Sequence, residues 1–263
     1  MKAFVMKNWL RVMLKLAMAL SFSNAMATQP LYVAAAADLA PCIDELNARF
    51  TQEAGGADIK VSIGSSGGFF AQIRNGAPFE VFLSADTQYP LELAKSGMAD
   101  PQTLYVYAFG QLMMWSADTH LNVDAGLSLL KEPRIERIAI ANPDLAPYGR
   151  AAKAALEKAG LWNAVQGKLV IGENIRQTAQ FVQTGNAQIG FVSATHLANI
   201  PPGSAGVAWR VPAELYSRIE QGAIVTAKGS ANPLASKYVK FLKSDAARAV
   251  LRKYGFTLPE VFD

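Results

Sequence analysis

Residues 61–86 read VSIGSSGGFFAQIRNGAPFEVFLSAD, and this segment joins two predicted strands through a turn of glycine and serine and a helix. The turn, residues 64–68, carries no charge but is rich in backbone N–H groups and hydroxyls. Free N–H groups at a helix N-terminus, together with the helix dipole, hold anions well. The segment therefore predicts a site for a small anion.

The first 27 residues have the composition of a secretory signal peptide. Basic residues precede a short apolar run over residues 16–22, and Ala25, Met26 and Ala27 are typical of a cleavage site. The apolar run is too short for a transmembrane anchor. We therefore expect cleavage after Ala27 and a periplasmic location for the mature protein.

Removal of this peptide changes the charge of the protein. The whole chain has 25 Lys and Arg against 21 Asp and Glu. The peptide holds four of the basic residues and none of the acidic ones, which leaves 21 of each. A mature chain without net charge offers no basic field for nucleic acid.

Cys42 is the only cysteine, so no intrachain disulfide forms, and its apolar neighbours predict a buried thiol.

Strands and helices are predicted to alternate along the mature chain, which favours an α/β fold with mainly parallel sheets and helices on both faces. Asp38 is expected to be the N-cap of the first helix. The predicted strands cover residues 31–36, 59–63, 80–83, 104–107, 111–115, 137–141, 168–171, 188–192 and 223–227. The predicted helices cover residues 39–50, 69–75, 89–96, 150–159, 175–184, 233–242 and 245–253.

Four junctions between a strand and the next helix are short and rich in small residues. Ligands of α/β proteins bind at the carboxyl ends of strands, where helices begin and offer free N–H groups. Two junctions lie in each half of the chain, so a ligand between two lobes could contact all four. The junctions cover residues 34–39, 64–68, 142–149 and 172–175.

The order and spacing of several motifs resemble the periplasmic molybdate-binding protein family, the soluble components of ABC importers. These motifs are VAAAADL, SIGSSGG, NGAPFEVFLSAD, IANPDLAPYGRAA, GENIRQTAQFVQTGNAQIGFV and KYGF. The resemblance implies a two-lobed type II periplasmic binding protein fold. Lobe 1 is expected over residues 28–108 plus 223–263 and lobe 2 over residues 109–222, with hinges near Gly110 and Gly222.

The resemblance also implies a function. The protein would bind a tetrahedral oxyanion, most simply molybdate or tungstate, and deliver it to the membrane permease of an ABC importer. We expect a monomer that needs no cofactor and binds no nucleic acid.

Five residues are candidates for the ligand site under this resemblance. Ser66 would donate its hydroxyl proton, and Tyr148 and Ile175 would donate their backbone N–H groups, with no side chain bound directly to the metal. Two positions depart from the family pattern. Asp38 stands where a serine is usual, and Ser193 stands where a tyrosine is often found and would reach the ligand through water.

Asp38 is the departure with the larger electrostatic effect. An ionised carboxylate about 4 Å from a unit negative charge costs about 4 kcal/mol at an effective dielectric constant of about 20. Three interpretations are open. The carboxylate caps the following helix while its backbone N–H serves the ligand, or it is protonated and donates a hydrogen bond. In the third, the protein has the same fold but binds a different small ligand.

An enzyme is the alternative class of protein. Asp38 and Asp86 both follow predicted strands and could pair as acid and base, and His196 lies just beyond another strand. The sequence contains no nucleophile elbow, metalloprotease motif, P-loop or C-x-x-C pair. Asp86 is expected to cap the helix near Tyr89 instead. The sequence therefore favours binding over catalysis.

Overall fold

The computed structural model describes residues 29–201 and 203–260. These residues form two five-stranded sheets, each with helices packed on both faces, so the two-lobed α/β architecture is confirmed. The predicted signal peptide, residues 1–27, lies outside the described residues. Within the described ranges, no helix combines the length and apolar character needed to cross a membrane.

The first sheet has the strand order β2-β1-β3-β10-β4. Its first three strands are parallel, and β10 runs antiparallel to both of its neighbours. The strands are β1 (Leu31–Ala36), β2 (Ile59–Gly64), β3 (Val81–Ser84), β4 (Tyr105–Gly110) and β10 (Ile219–Val225).

The second sheet has the strand order β7-β6-β8-β5-β9. The strands β6, β7 and β8 are parallel, whereas β5 is antiparallel to both β8 and β9. The strands are β5 (Leu112–Ser116), β6 (Ile138–Ala141), β7 (Leu169–Gly172), β8 (Ile189–Ser193) and β9 (Val207–Arg210).

Nine α-helices are described, and their apolar faces pack on the sheets. In the last one, buried Ala247, Val250 and Leu251 follow the helical spacing, and Ser244 accepts a hydrogen bond from the Ala247 N–H as its N-cap. The helices are α1 (Ile43–Glu53), α2 (Ser66–Arg74), α3 (Gln88–Lys95), α4 (Pro147–Lys158), α5 (Trp162–Val165), α6 (Ile175–Gln183), α7 (Ala194–Ala198), α8 (Pro233–Phe241) and α9 (Asp245–Lys253).

Each sheet is mixed rather than mainly parallel. The cause is the path of the chain, which leaves β4 in the first sheet and enters β5 in the second after the single residue Gln111. It returns between Arg210 and Ile219 and inserts β10 between β3 and β4. The lobe boundary predicted at residues 222 and 223 therefore falls inside β10, and β9 is a strand that the sequence reading missed.

The first helix begins later than predicted, and Asp38 is not its N-cap. Residues Ala37–Leu39 form a short 3-10 turn without a side-chain cap, and the α-helix begins at Ile43. The turn closes with hydrogen bonds from Ala40 N to Ala37 O and from Cys42 N to Leu39 O, on either side of Pro41, which has no N–H to donate. Cys42 is buried, as predicted.

Candidate functional site

A small cavity lies between the two sheets, where all four predicted junctions meet. It contains about 200 Å³ of space free of atoms, which includes the part that opens to solvent. The lining is mostly small residues and helix starts, which lets a ligand approach the backbone closely. The lining residues are Ala36, Ala37, Asp38, Gly64, Ser65, Ser66, Ala85, Ala146, Pro147, Tyr148, Asn174 and Ile175.

Ser66 is the first residue of α2 and offers a hydroxyl proton to this cavity. Its side chain is buried, and its Oγ accepts a hydrogen bond of 2.9 Å from the Ala85 N–H. Because a hydroxyl has one proton and two lone pairs, this contact leaves the proton of Ser66 available. The Ala85 contact also fixes where the hydroxyl points.

Ile175 is the first residue of α6, and the cap of this helix leaves its N–H free. Asn174 is the N-cap, and its side-chain oxygen accepts from the N–H groups of Arg176 and Gln177, both at 3.1 Å. The Thr178 N–H bonds to Asn174 O. The Ile175 N–H has no acceptor within its helix and lies at the cavity.

Tyr148 is the second residue of α4 and follows Pro147, so its backbone N–H is also beyond the reach of an intrahelical acceptor. Its ring is buried and reaches toward the crossing strands. A Cβ atom at Gly110 would overlap the Tyr148 hydroxyl, which explains the glycine at the end of β4. The hydroxyl oxygen is buried without a hydrogen-bond partner.

Asp38 places a buried carboxyl at the same cavity. The residue is 1% exposed, and its Oδ2 accepts a hydrogen bond of 2.7 Å from Gln221 Nε2 in β10. Gln221 Oε1 in turn accepts from the Tyr107 hydroxyl at 3.2 Å. Asp38 Oδ1 has no hydrogen-bond partner, although the Tyr148 hydroxyl lies close enough to lower the carboxyl pKa.

Burial dominates the ionisation of this carboxyl. Loss of hydration raises the Asp38 pKa from 3.8 to about 6, and the neighbouring hydroxyl, amide and backbone N–H groups lower it only in part. The interpretation of Asp38 as a helix cap is wrong, because the carboxyl bonds to Gln221 and the turn has no side-chain cap. The protonated carboxyl and the different ligand remain as interpretations.

Ser193 does not line the small cavity. Its hydroxyl lies 2.7 Å from the Thr195 hydroxyl, which itself donates to Asp38 O at 2.7 Å. Because the Thr195 proton is used for the Asp38 carbonyl, Ser193 must donate to Thr195. Ser193 therefore belongs to a chain of hydrogen bonds between the two lobes. It lines an adjoining polar groove together with Ile175 and does not line the small cavity.

A second group of contacts closes the cleft at its outer side. Asp86 accepts from the Tyr89 N–H at 3.1 Å, as predicted, and its second oxygen pairs with Arg150 of α4. Arg150 also donates to the Tyr89 hydroxyl at 3.0 Å, and the Gly67 N–H donates to Leu145 O at 2.8 Å. Asp86 is therefore paired with a cation rather than with Asp38.

His196, the other candidate of the enzyme hypothesis, lines an adjoining polar groove and packs edge-on against Trp115. This groove shares Ala37, Asn174 and Ile175 with the small cavity. Burial lowers its pKa, which favours the neutral ring. In the part of the chain that the structure describes, no group of three or more His, Cys, Asp or Glu side chains could hold a metal ion directly.

The sequence reading missed several residues that position the site. Asn174 has a recognisable signal, since asparagine before an apolar helical pattern is a preferred N-cap. Gln221 and Thr195 have none, because each contacts Asp38 across more than 150 residues of chain. The partnership of Arg150 with Asp86 likewise joins two lobes and cannot be read from local sequence.

Two α/β lobes closed over a small cavity of hydroxyl and N–H donors define a solute-binding protein. Residues 31–257 match the family of bacterial extracellular solute-binding proteins, and the chain belongs to that family.

Its relatives include proteins with a named ligand. The chain is 41% identical to the molybdate-binding protein ModA of Azotobacter vinelandii over 86% of its length and 89% of the relative's. It is 38% identical to ModA of Rhodobacter capsulatus, over 92% and 93% of the two chains. The solved structure of an Azotobacter vinelandii periplasmic molybdate-binding protein superposes with a TM-score of 0.81 at 34% identity, covering 88% of this chain and all of the other.

Proposed function

We propose that this chain binds molybdate or tungstate between its two lobes and delivers it to the permease of an ABC importer. The observation that carries the proposal is the convergence of three donors on one small cavity: the Ser66 hydroxyl and the backbone N–H groups of Tyr148 and Ile175. The names of the relatives point to the same ligand. The protein acts in the periplasm as a monomeric binding protein and not as an enzyme.

The chemistry of the donors suits a tetrahedral oxyanion. Such an ion has oxygen acceptors on all sides, so donors from both lobes can bond to it at once. Hydrogen bonds to a charged group are shorter and about twice as strong as neutral ones. The starts of α2, α4 and α6 each add the positive end of a helix dipole. The oxyanion is the transported ligand, and the protein needs no cofactor.

Capture is proposed to proceed by closure of the lobes. The ligand favours the closed arrangement because only there do donors from both lobes contact it. We propose two lobes close to the division predicted from the sequence, which was residues 28–108 plus 223–263 and residues 109–222. The position of β10 in the first sheet supports a return crossing somewhat earlier, within residues 211–218.

The direct test is a calorimetric and thermal-unfolding screen of the mature protein against molybdate, tungstate, sulfate and phosphate. A ligand at about 100 times its Kd adds about 2.7 kcal/mol to the free energy of unfolding. We expect this shift with molybdate and tungstate at micromolar concentrations. Failure of both to bind would refute the proposed ligand and leave the family assignment intact.

The backbone donor at Ile175 permits a sharper test of the site. Proline is tolerated at the first position of a helix but has no N–H, and Asn174 before it is already extended, with φ −150° and ψ 175°. We expect Ile175→Pro to keep the fold and to weaken molybdate binding by about tenfold or more, the loss of one hydrogen bond to a charged group.

The matched control is Ile175→Val, which changes the side chain and keeps the N–H. It should bind molybdate within about twofold to threefold of the unsubstituted protein. Equal affinities of the proline and valine variants would show that this N–H does not contact the ligand. Circular dichroism and unfolding in the absence of ligand would establish that both variants fold.

One observation favours a second candidate ligand. Asp38 Oδ1 is a buried acceptor without a partner, and an acceptor of this kind could bind an oxyanion that keeps a proton. Hydrogen phosphate is the simplest example. The ligand screen includes phosphate for this reason. Tighter binding of phosphate than of molybdate would identify a protonated oxyanion as the ligand.

A further inference from the structure

Asp38 is a buried carboxyl with no positive partner. Of its two oxygens, Oδ2 accepts from the neutral Gln221 amide, and Oδ1 has no hydrogen-bond partner. Among the described residues, no ion pair involves Asp38, whereas the other carboxylate near the cleft, Asp86, is paired with Arg150. A buried carboxylate without a cation is costly in its ionised form.

The groups that face Asp38 from the surrounding elements are neutral. These groups are Gln221 of β10, Tyr107 of β4, Tyr148 of α4, Cys42 before α1 and Thr195 of α7. Burial raises the pKa values of the phenols and the thiol, so none of these groups supplies a positive charge. His196, the residue after Thr195, packs against Trp115, and burial lowers its pKa and keeps the ring neutral. The last two residues of β2, Ile63 and Gly64, carry no titratable group.

Charged residues on the neighbouring helices do not compensate for the Asp38 carboxyl. Asp44 on α1 and Arg176 on α6 are both exposed to solvent. Neither is among the groups that shift the Asp38 pKa. The charge state of Asp38 is therefore decided by burial and by whatever enters the cavity.

The same cavity is the proposed oxyanion site. Asp38 lines it together with Ser66, Tyr148 and Ile175, whose donors are proposed to hold the ligand. A dianion and an ionised carboxylate in one small, poorly hydrated space repel each other strongly. Protonation of the carboxyl removes that repulsion and supplies one more hydrogen-bond donor.

We propose that Asp38 takes up one proton from solvent when the dianion binds, so that oxyanion capture is coupled to protonation and weakens as pH rises. This inference rests on the proposed function and deepens it. The proton is bound on Oδ1, because Oδ2 is occupied by the Gln221 amide, and it is directed at the ligand or at the Tyr148 hydroxyl. The net change is one dianion and one proton taken into the cavity.

The closed arrangement of the lobes already favours this uptake. Burial raises the Asp38 pKa to about 6 in the closed protein, so at neutral pH the carboxyl is mostly ionised there but close to protonation. A dianion in the cavity raises the pKa further, since a nearby negative charge favours the neutral acid. Between these two pKa values the affinity falls about tenfold for each pH unit.

The first experiment measures the proton directly. Molybdate is titrated into the mature protein by calorimetry at pH about 7.5, in two buffers of different ionisation enthalpy. The dependence of the observed heat on buffer gives the number of protons taken up. We expect about one proton per bound molybdate, and a value near zero would overturn the inference.

The second experiment follows the molybdate Kd from about pH 6.5 to about pH 8.5, a range in which molybdate remains a dianion. The unsubstituted protein should lose about a hundredfold in affinity across this range. Asp38→Asn, which keeps an oxygen for Gln221 but cannot ionise, should show a nearly constant Kd and no proton uptake. It should also bind more tightly than the unsubstituted protein at the upper end.

The matched control is Asp86→Asn, which removes the other carboxylate of the cleft. It should retain the pH dependence and the uptake of one proton, whatever its overall affinity. Tight binding by the unsubstituted protein without pH dependence or proton uptake would overturn this inference and leave the proposed function standing. No binding of molybdate or tungstate at any pH, by the unsubstituted protein or by Asp38→Asn, would overturn both.

Discussion

The Asp38 carboxyl also affects the stability of the fold in its closed arrangement. Its pKa is 3.8 in the unfolded chain and about 6 in the closed protein. The closed protein therefore keeps the Asp38 proton at pH values where the unfolded chain has released it, and the contribution of Asp38 to the free energy of unfolding falls as pH rises from about 4 to about 6. The shift corresponds to roughly 3 kcal/mol.

Asp38→Asn should remove this dependence. We expect the free energy of unfolding of the variant, relative to the unsubstituted protein, to rise by up to about 3 kcal/mol between about pH 4 and about pH 6.5 and then to stay level. Urea unfolding without ligand measures the difference, in which the other titrating groups cancel. A difference independent of pH would mean that the carboxyl ionises normally in the folded state.

The placement of single residues could be predicted where it depends on local sequence, whereas their contact with a ligand stays a prediction. Ser66, Tyr148 and Ile175 stand at helix starts that the junction motifs reveal, and the structure places all three at one cavity. The environment of Asp38 could not be predicted, because its neutral partner Gln221 comes from a strand far along the chain. The local rule that aspartate caps helices failed here, because residues Ala37–Leu39 form a 3-10 turn and the α-helix begins only at Ile43.

At the scale of elements, the start of α2 is one of the points where the two lobes touch. The Gly67 N–H donates to Leu145 O, and a Cβ atom at Gly67 would lie 2.8 Å from that oxygen and 2.7 Å from the Tyr89 hydroxyl. The carbonyl belongs to the opposite lobe and is part of the backbone, so it cannot move aside as a side chain can. Glycine is thus required here by the closed arrangement.

Gly67→Ala should therefore weaken ligand binding more than it weakens the fold. Overpacking of this kind costs about 1–3 kcal/mol, which predicts a roughly tenfold to hundredfold loss of molybdate affinity. In Gly68→Ala the new Cβ would meet only Ser65 Oγ, a rotatable side chain at 2.8 Å, so this variant is the control. Calorimetry compares the two, and similar affinities would argue against steric control of closure.

The order of elements could be predicted well, and the pairing of the crossing strands could not. Apolar spacing and glycine stops are local signals, and they mark helices such as α3, α4 and α6, which end just before Gly97, Gly160 and Gly185. The direction of β10 depends on where the chain returns to the first sheet. Strand direction here depends on contacts between distant parts of the chain. The sheets are therefore mixed, although the local pattern predicted mainly parallel ones.

For the whole molecule, the pairing of Arg150 with Asp86 helps to hold the two lobes together. Arg150 donates to both Asp86 and the Tyr89 hydroxyl, and its guanidinium lies 5.3 Å from the Tyr89 ring centroid. These contacts exist only when the lobes are closed. Because Arg150 is partly exposed, their contribution is modest, about 0.5–1 kcal/mol.

Arg150→Met should reduce molybdate affinity by about twofold to fivefold, and the reduction should shrink at high salt. Lys153→Met on the same helix is the control, because Lys153 pairs at 3.8 Å with Glu157 within that helix. Calorimetric titrations at low and high ionic strength test the comparison. Equal reductions in molybdate affinity for the two variants would show that the pairing of Arg150 with Asp86 does not help to hold the lobes closed.

The central place of β10 in the first sheet has a consequence for the order of folding. The strands of the second sheet come from one continuous stretch, residues 112–210, so all its partners are present once that stretch is complete. The first sheet lacks the strand between β3 and β4 until residues 219–225 are added. A chain released from its N-terminus would complete the second lobe first, and a partly released chain could not trap a ligand.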